Sequence, residues 1–494
     1  MEKIMPNKQI FINLNVIMCV LLSLVSISTL AADVYSKSNT TIIKPVTIPT
    51  GYGFPGERKT IQTWADKWNI KKITAKAWDL WGGMTANSGQ TWQGSILPVW
   101  ETWCGTTETF LQQCNILSAP SRDFVNASQL THNQTQPQHT SDLRLAAFNK
   151  FNPAMANYLA LSHSEPDSSS YNYTKSESLA TLNAAWPKAT PIAERKVQDT
   201  PYISPNRTGS TAAIETKPVF FLVKQNQLTP VPLWQGPDYP AHTTDKKCKG
   251  VVNAGSPNTD KCHPQPSTWK KCVLVDPKIT KAAKSLKPAT KRQISSAAKD
   301  ASLSCNTYFY APIGNIYAFA MDSSQAVAYN KVQGGNGLSA KAGDYAVLTA
   351  MHINTKEIIN WTWQTFWWQP GKRDTSHSYP GSKKGMTKKV KGVWRNYAAC
   401  TAYNQTQGIK STKIHVCFNP FLETSPGIPD GLQSNCMSCH GTATVGSTIS
   451  SNPPKVNSLS YPASYKTPID FNNGEIFKDY TRTDFSWAIP VNAN

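Results

Sequence analysis

The chain has 494 residues, with 50 Lys and Arg against 30 Asp and Glu and a formal net charge of +20. The length allows about three domains at ~150 residues each, and 16 Trp, 18 Tyr and 16 Phe supply the apolar area for a large core. Such a charge seeks a polyanion. In an exported chain nucleic acid is excluded, which leaves an acidic protein partner or an anionic membrane surface.

Export is what the first 32 residues predict. Lys3 and Lys8 precede an apolar segment running from Ile10 through Val25, which ends in small residues at Ala31 and Ala32. The fully apolar stretch is shorter than the ~20 residues a membrane-spanning helix needs. Residues 1–32 therefore read as a cleaved signal peptide and the mature protein as periplasmic.

Residues 33–200 read as an aromatic-rich, mostly helical region. After a Thr, Ser and Pro-rich lead-in, Ile61, Trp64, Trp68, Ile73, Ala77 and Trp81 recur at near-helical spacing and predict one amphipathic helix over 57–82. A second helical stretch is expected over 142–161, with Pro153 opening a new turn.

Residues 201–370 read as a β-rich domain. Strands are expected at 218–223, 307–313 and 315–321. Tyr345–Ile353 and Ile358–Trp368 read as a hairpin turning at Asn354–Glu357, with Trp361, Trp363 and Trp367 on one face. The stretch 243–305, rich in Lys and Cys, is expected to be a surface excursion. Its lysines (278, 281, 284, 287, 291) and a second run at 383–391 are solvated faces or a docking patch.

Of 11 cysteines, Cys19 lies in the signal peptide and two lie in the motif below; the other eight suit an oxidising compartment. Neighbour pairing gives 104–114, 248–262, 272–305 and 400–417.

Residues 371–494 carry the chemistry. Cys436-Met437-Ser438-Cys439-His440 is the C-x-x-C-H pattern of covalent c-type haem attachment. Two thiols three residues apart on a helical turn reach both vinyl groups of one porphyrin, and the next residue directs an imidazole at the iron. Cys436 and Cys439 are thus the expected attachment points of a single haem c, and His440 its proximal ligand. A zinc site would need further ligands, and no His or Cys follows His440. No Met follows either, so a distal ligand has to come from upstream. His352 is the first candidate and Met351 the alternative, ahead of Met321, Met386 and His415. As neighbours on a strand, Met351 and His352 point to opposite faces.

Gly209–Lys217, Met351-His352-Ile353, Trp361–Phe366, Ala77–Trp81 and Leu97–Trp103, together with the C-terminal motif, resemble a group of exported bacterial cytochrome c-family proteins across about residues 60–445. The resemblance implies a haem protein and assigns no substrate.

The expected fold class is α+β: a helical aromatic-rich N-terminal part, a β-rich middle and a C-terminal c-type haem segment packed on it. The expected function is one-electron transfer in the periplasm, as a monohaem c-type cytochrome with an acidic redox partner. Two rivals differ in class. One is a haem enzyme or oxidoreductase subunit with an open distal site. The other is a Trp-rich exported binding protein using haem as an electron port.

Overall fold

The structure is a computed structural model that describes residues 42–111, 117–126, 145–160, 212–234, 265–371, 379–424, 435–446 and 480–489, with single omissions inside those stretches and short pieces between them. Residues 1–32, read as a signal peptide, and the expected 248–262 cysteine pair lie outside the described residues.

Both helices and sheets are present, as the α+β reading requires. The helices used below are α1 (Arg58–Asp66), α2 (Ile70–Met84), α3 (Pro153–Ala160), α4 (Lys291–Ser296), α5 (Ser323–Gln333) and α6 (Cys436–His440). The strands are β1 (Ile214–Val223), β2 (Thr229–Pro232), β3 (Lys271–Asp276), β4 (Lys287–Pro288), β5 (Thr307–Pro312), β6 (Tyr345–Thr355), β7 (Thr362–Trp368) and β8 (Tyr397–Ala402).

The helix expected over 57–82 is broken in two. Trp68 adopts a left-handed φ of 48°, and the Asn69 side chain then accepts from the Lys72 amide and caps α2. Asn is among the preferred N-caps, and its carbonyl starts a new helix rather than continuing the old one. The 142–161 reading survives only as α3. Short strands Ala146–Ala147 and Lys150–Phe151 precede it, and Pro153 occupies the first helical position, where its missing N–H costs nothing.

The main sheet runs β8-β7-β6-β1, continues to Ala146–Ala147 and Val125–Asn126, and is antiparallel throughout. Its hairpin turns later than expected: β6 extends to Thr355, and Trp361 sits in the connection with φ 60°. Trp363 and Trp367 share a face; Trp361 does not belong to that strand. The expected strand 315–321 shrinks to Ala318–Ala320.

A second sheet has the order β4-β5-β3-β2, with β3 and β5 parallel. Within the described part of 243–305, residues 265–305, it corrects the reading of a surface excursion. β3, Lys-Cys-Val-Leu-Val-Asp, is buried from Cys272 to Val275, and Trp269 before it is fully buried. A continuous apolar run of this kind marks a strand covered on both faces. The surrounding lysines drew the reading outward.

Register fixes what lies on each face of the main sheet. Glu215 and Lys217 of β1, His352 and Asn354 of β6, and Trp363 and Thr365 of β7 are direct cross-strand partners or alternate neighbours, and so share one face. Thr216, Met351, Ile353 and Phe366 share the other. The α2 side covers that second face: Trp81 stacks on Phe366 with ring centroids 4.2 Å apart, and Trp78 meets Phe366 edge-on. The first face is covered by the chain from Cys417 to Thr424, α6 and residues 485–489. Asn419 donates to Thr365 Oγ1 at 2.6 Å, Phe421 packs on Phe221, and Ser486 donates to Glu215 at 2.9 Å. From Ile43 onward the chain forms one compact unit.

Disulfides join Cys104–Cys114, Cys272–Cys305 and Cys400–Cys417, each as neighbour pairing predicts. Among the described residues no helix is long and apolar enough to cross a membrane.

One buried ion pair fastens the start of the fold to the hairpin connection. Lys76 Nζ lies 2.7 Å from Glu357 Oε1, and the carboxylate also accepts from the Gly56 amide at 2.6 Å and from Thr355 Oγ1 at 2.7 Å. Removing one member of such a pair leaves an uncompensated buried charge, whereas replacing both with apolar groups removes the penalty. Glu357→Ala should therefore lower unfolding stability by ~3–5 kcal/mol in urea titration, and Lys76→Met with Glu357→Leu should recover most of the loss. An Ala variant as stable as the parent would contradict this assignment.

Candidate haem-attachment site

The motif forms one short helix, α6, whose capping explains why it forms at all. Five residues cannot hold a helix by propensity alone. The Asn435 side chain accepts from the Met437 and Ser438 amides, while its Nδ2 donates to the Gln405 and His415 carbonyls, each at 2.9 Å. One side chain thus starts the helix and pins it to the segment after β8. At the other end a Cβ on Gly441 would stand 2.0 Å from the Phe471 ring, so any side chain there would force that ring to move.

Cys436 and Cys439 form no disulfide, whereas every other described cysteine is disulfide-bonded. Enclosure raises the Cys436 thiol well above the ordinary range, so it is held protonated. Cys439 packs with Ala443 and Trp487, while Met437 is turned into the main core.

His440 meets the ring of Trp363 at 4.4 Å between centroids, which sets it over the face that carries His352. Its Nδ1 lies 2.8 Å from the Phe485 carbonyl. A carbonyl can only accept, so Nδ1 carries the proton and Nε2 keeps its lone pair. Enclosure pushes the imidazole pKa down to about 3; the Phe485 carbonyl opposes this fall, and His352 and Lys217 add to it. A neutral imidazole with Nδ1 tied to a carbonyl is the state a metal-binding histidine requires.

His352 and Met351 separate as strand alternation requires. His352 lies on the His440 side, where its Nε2 is 3.0 Å from Glu423 Oε1; Glu423 also accepts from the Asn419 amide. Met351 is fully buried on the opposite face under α2. Met321 and Met386 are core residues. His415 is held by the Thr401 carbonyl at 2.6 Å and meets Trp68 edge-on; burial lowers its pKa.

Three charged residues near this site carried no signal of their own in the sequence. Lys217 stands directly across from His352 in the register. Enclosure lowers its pKa to about 8, against the pull of Glu423, Glu215 and Cys439. Glu215 is buried against Ser486 and Asn354, and burial raises its pKa. Glu423 comes from the chain leading to the motif. The Asn435 cap was missed as well, although an Asn directly before a helical turn is an N-cap signal that could have found it.

The donors present fit a covalently attached haem. They offer two thiols outside the disulfide framework on one turn, and a neutral imidazole with one nitrogen tied to a carbonyl. Among the described residues no group of three or more His, Cys, Asp or Glu is arranged to hold a bare metal ion. A porphyrin brings its own four nitrogens, so this site needs one or two protein ligands. Ser438 Oγ, inside the motif, and Trp361 Nε1, whose ring lies 6.4 Å from Trp363, are buried with no hydrogen-bond partner among the described residues. Compared with known proteins, the chain matches no family model, no curated sequence and no solved structure, so its functional reading rests on its own residues.

Proposed function

We propose that the protein is a monohaem c-type cytochrome of the periplasm, with one haem c bonded to Cys436 and Cys439 and His440 as axial ligand. The observation that carries this reading is the fixed tautomer of His440 beside two cysteines left out of the disulfide framework. Bound there, haem supplies a one-electron couple whose potential follows from burial, ligand identity and hydrogen bonding around it. The chain's part is to orient the imidazole through Phe485, to wall the site with Trp363 and to keep it dry on the sheet side.

Mass spectrometry of the denatured mature protein tests the proposal. The expected mass exceeds that of the polypeptide by one haem. A mass equal to the polypeptide, with Cys436 and Cys439 oxidised to a disulfide, would refute it.

A second reading, a haem enzyme or oxidoreductase subunit, draws on the His352–Glu423 pair. A histidine and a carboxylate 3.0 Å apart on the His440 side can hold and return a proton beside an open sixth position.

A further inference from the structure

Two basic runs about a hundred residues apart in sequence meet at one residue. Asn315 accepts from the Ala283 amide and donates back to the Ala283 carbonyl, both at 2.8 Å. Its own carbonyl accepts from Asn396 Nδ2 at 2.9 Å. A Cβ on Gly314 would stand 1.9 Å from the Thr280 carbonyl oxygen, so the 279–283 loop lies flush against the turn that bears 392–396.

This junction joins exposed Lys278, Lys281, Lys284, Lys287, Lys291 and Arg292 to exposed Lys384, Lys388, Lys391 and Arg395. Neither 278–292 nor 379–396 contains a single carboxylate. Of the remaining cations in the second run, Lys383 is buried on the Gly371 carbonyl and Lys389 is paired with Asp79.

We propose that these two runs form one docking face for an anionic phospholipid bilayer. The inference stands apart from the haem reading and draws only on this surface. Three features favour lipid over an acidic protein. The face is mostly lysine, which protein interfaces disfavour, and the run 278–296 has no aromatic residue to serve as a hot spot. Ammonium groups are compact charges that need no fixed geometry to meet phosphate headgroups. Ile279 and Ile294, 42% and 39% exposed, stand among the lysines, where they can enter the headgroup region as the apolar part of a surface anchor. Lysine on an open sheet edge also blocks strand pairing. That explains Lys287 on β4, but not Lys388 or Lys391, which lie outside any strand.

Vesicle sedimentation with the full mature protein tests the proposal. Vesicles of phosphatidylcholine with phosphatidylglycerol should pellet the protein at low salt, and pure phosphatidylcholine should not. Lys284→Glu, Lys287→Glu, Lys388→Glu and Lys391→Glu together should lower partitioning by more than roughly 100-fold, at about fivefold per cation removed. A control variant reverses Lys59, Lys67, Lys71 and Lys72, which are exposed on α1, α2 and the turn between them; it should retain most of the binding. Equal loss in both variants would overturn the proposal, because net charge rather than this face would then be responsible. Failure of the unmodified protein to bind phosphatidylglycerol vesicles would also overturn it, and leave the face to an acidic protein.

Discussion

Alanine at both Cys436 and Cys439 is expected to abolish haem staining of the protein on a denaturing gel. Only thioether bonds survive denaturation, and every other described cysteine is held in a disulfide. The loss should not come from collapse of the fold. The disulfides Cys104–Cys114, Cys272–Cys305 and Cys400–Cys417 do not involve these residues, and α6 keeps its Asn435 cap. Circular dichroism should therefore remain close to that of the parent. Each single variant should keep one thioether and a fraction of the stain, whereas His440→Ala should keep both bonds and alter the spectrum. Persistent staining in the double variant would mean that haem is attached elsewhere, and would overturn the assignment.

Much of the site was legible in the sequence because its chemistry is local. The C-x-x-C-H spacing holds within one helical turn, and strand alternation alone separates Met351 from His352. The residues that surround these groups are not local. Glu423, Lys217, Glu215 and the Phe485 carbonyl reach the site from separate parts of the chain, and nothing near them in sequence marks them. The fold divides in the same way. β1, β5, β6 and β7 read as apolar or aromatic runs, but the break at Trp68 depends on one residue's left-handed backbone and the Asn69 cap. β3 was misassigned because the lysines around it outweighed four buried residues, Cys272 to Val275. Patterning reports the average surroundings of a segment, and a short central strand in a polar stretch defeats it.

The remaining large effect concerns the sixth position of the proposed haem iron. Should His352 supply it, the oxidised protein will be low-spin and will lack the near-infrared band of methionine ligation. His352→Ala should then convert it to high spin. Met351→Ala should leave the spectrum low-spin, because Met351 lies under α2 on the far face of the sheet. The same change should still cost ~2–5 kcal/mol in unfolding, the usual effect of emptying a core methionine site, so the two variants separate ligation from packing. His352 Nε2 is engaged by Glu423 at 3.0 Å, and ligation would require that contact to break. Glu423→Gln replaces the charge-assisted bond with a weaker one, and should leave a low-spin protein low-spin. A wild-type protein that is already high-spin would eliminate both residues as ligands. It would leave the His352–Glu423 pair beside an open position, and the enzyme reading would then account for the site better than electron transfer does.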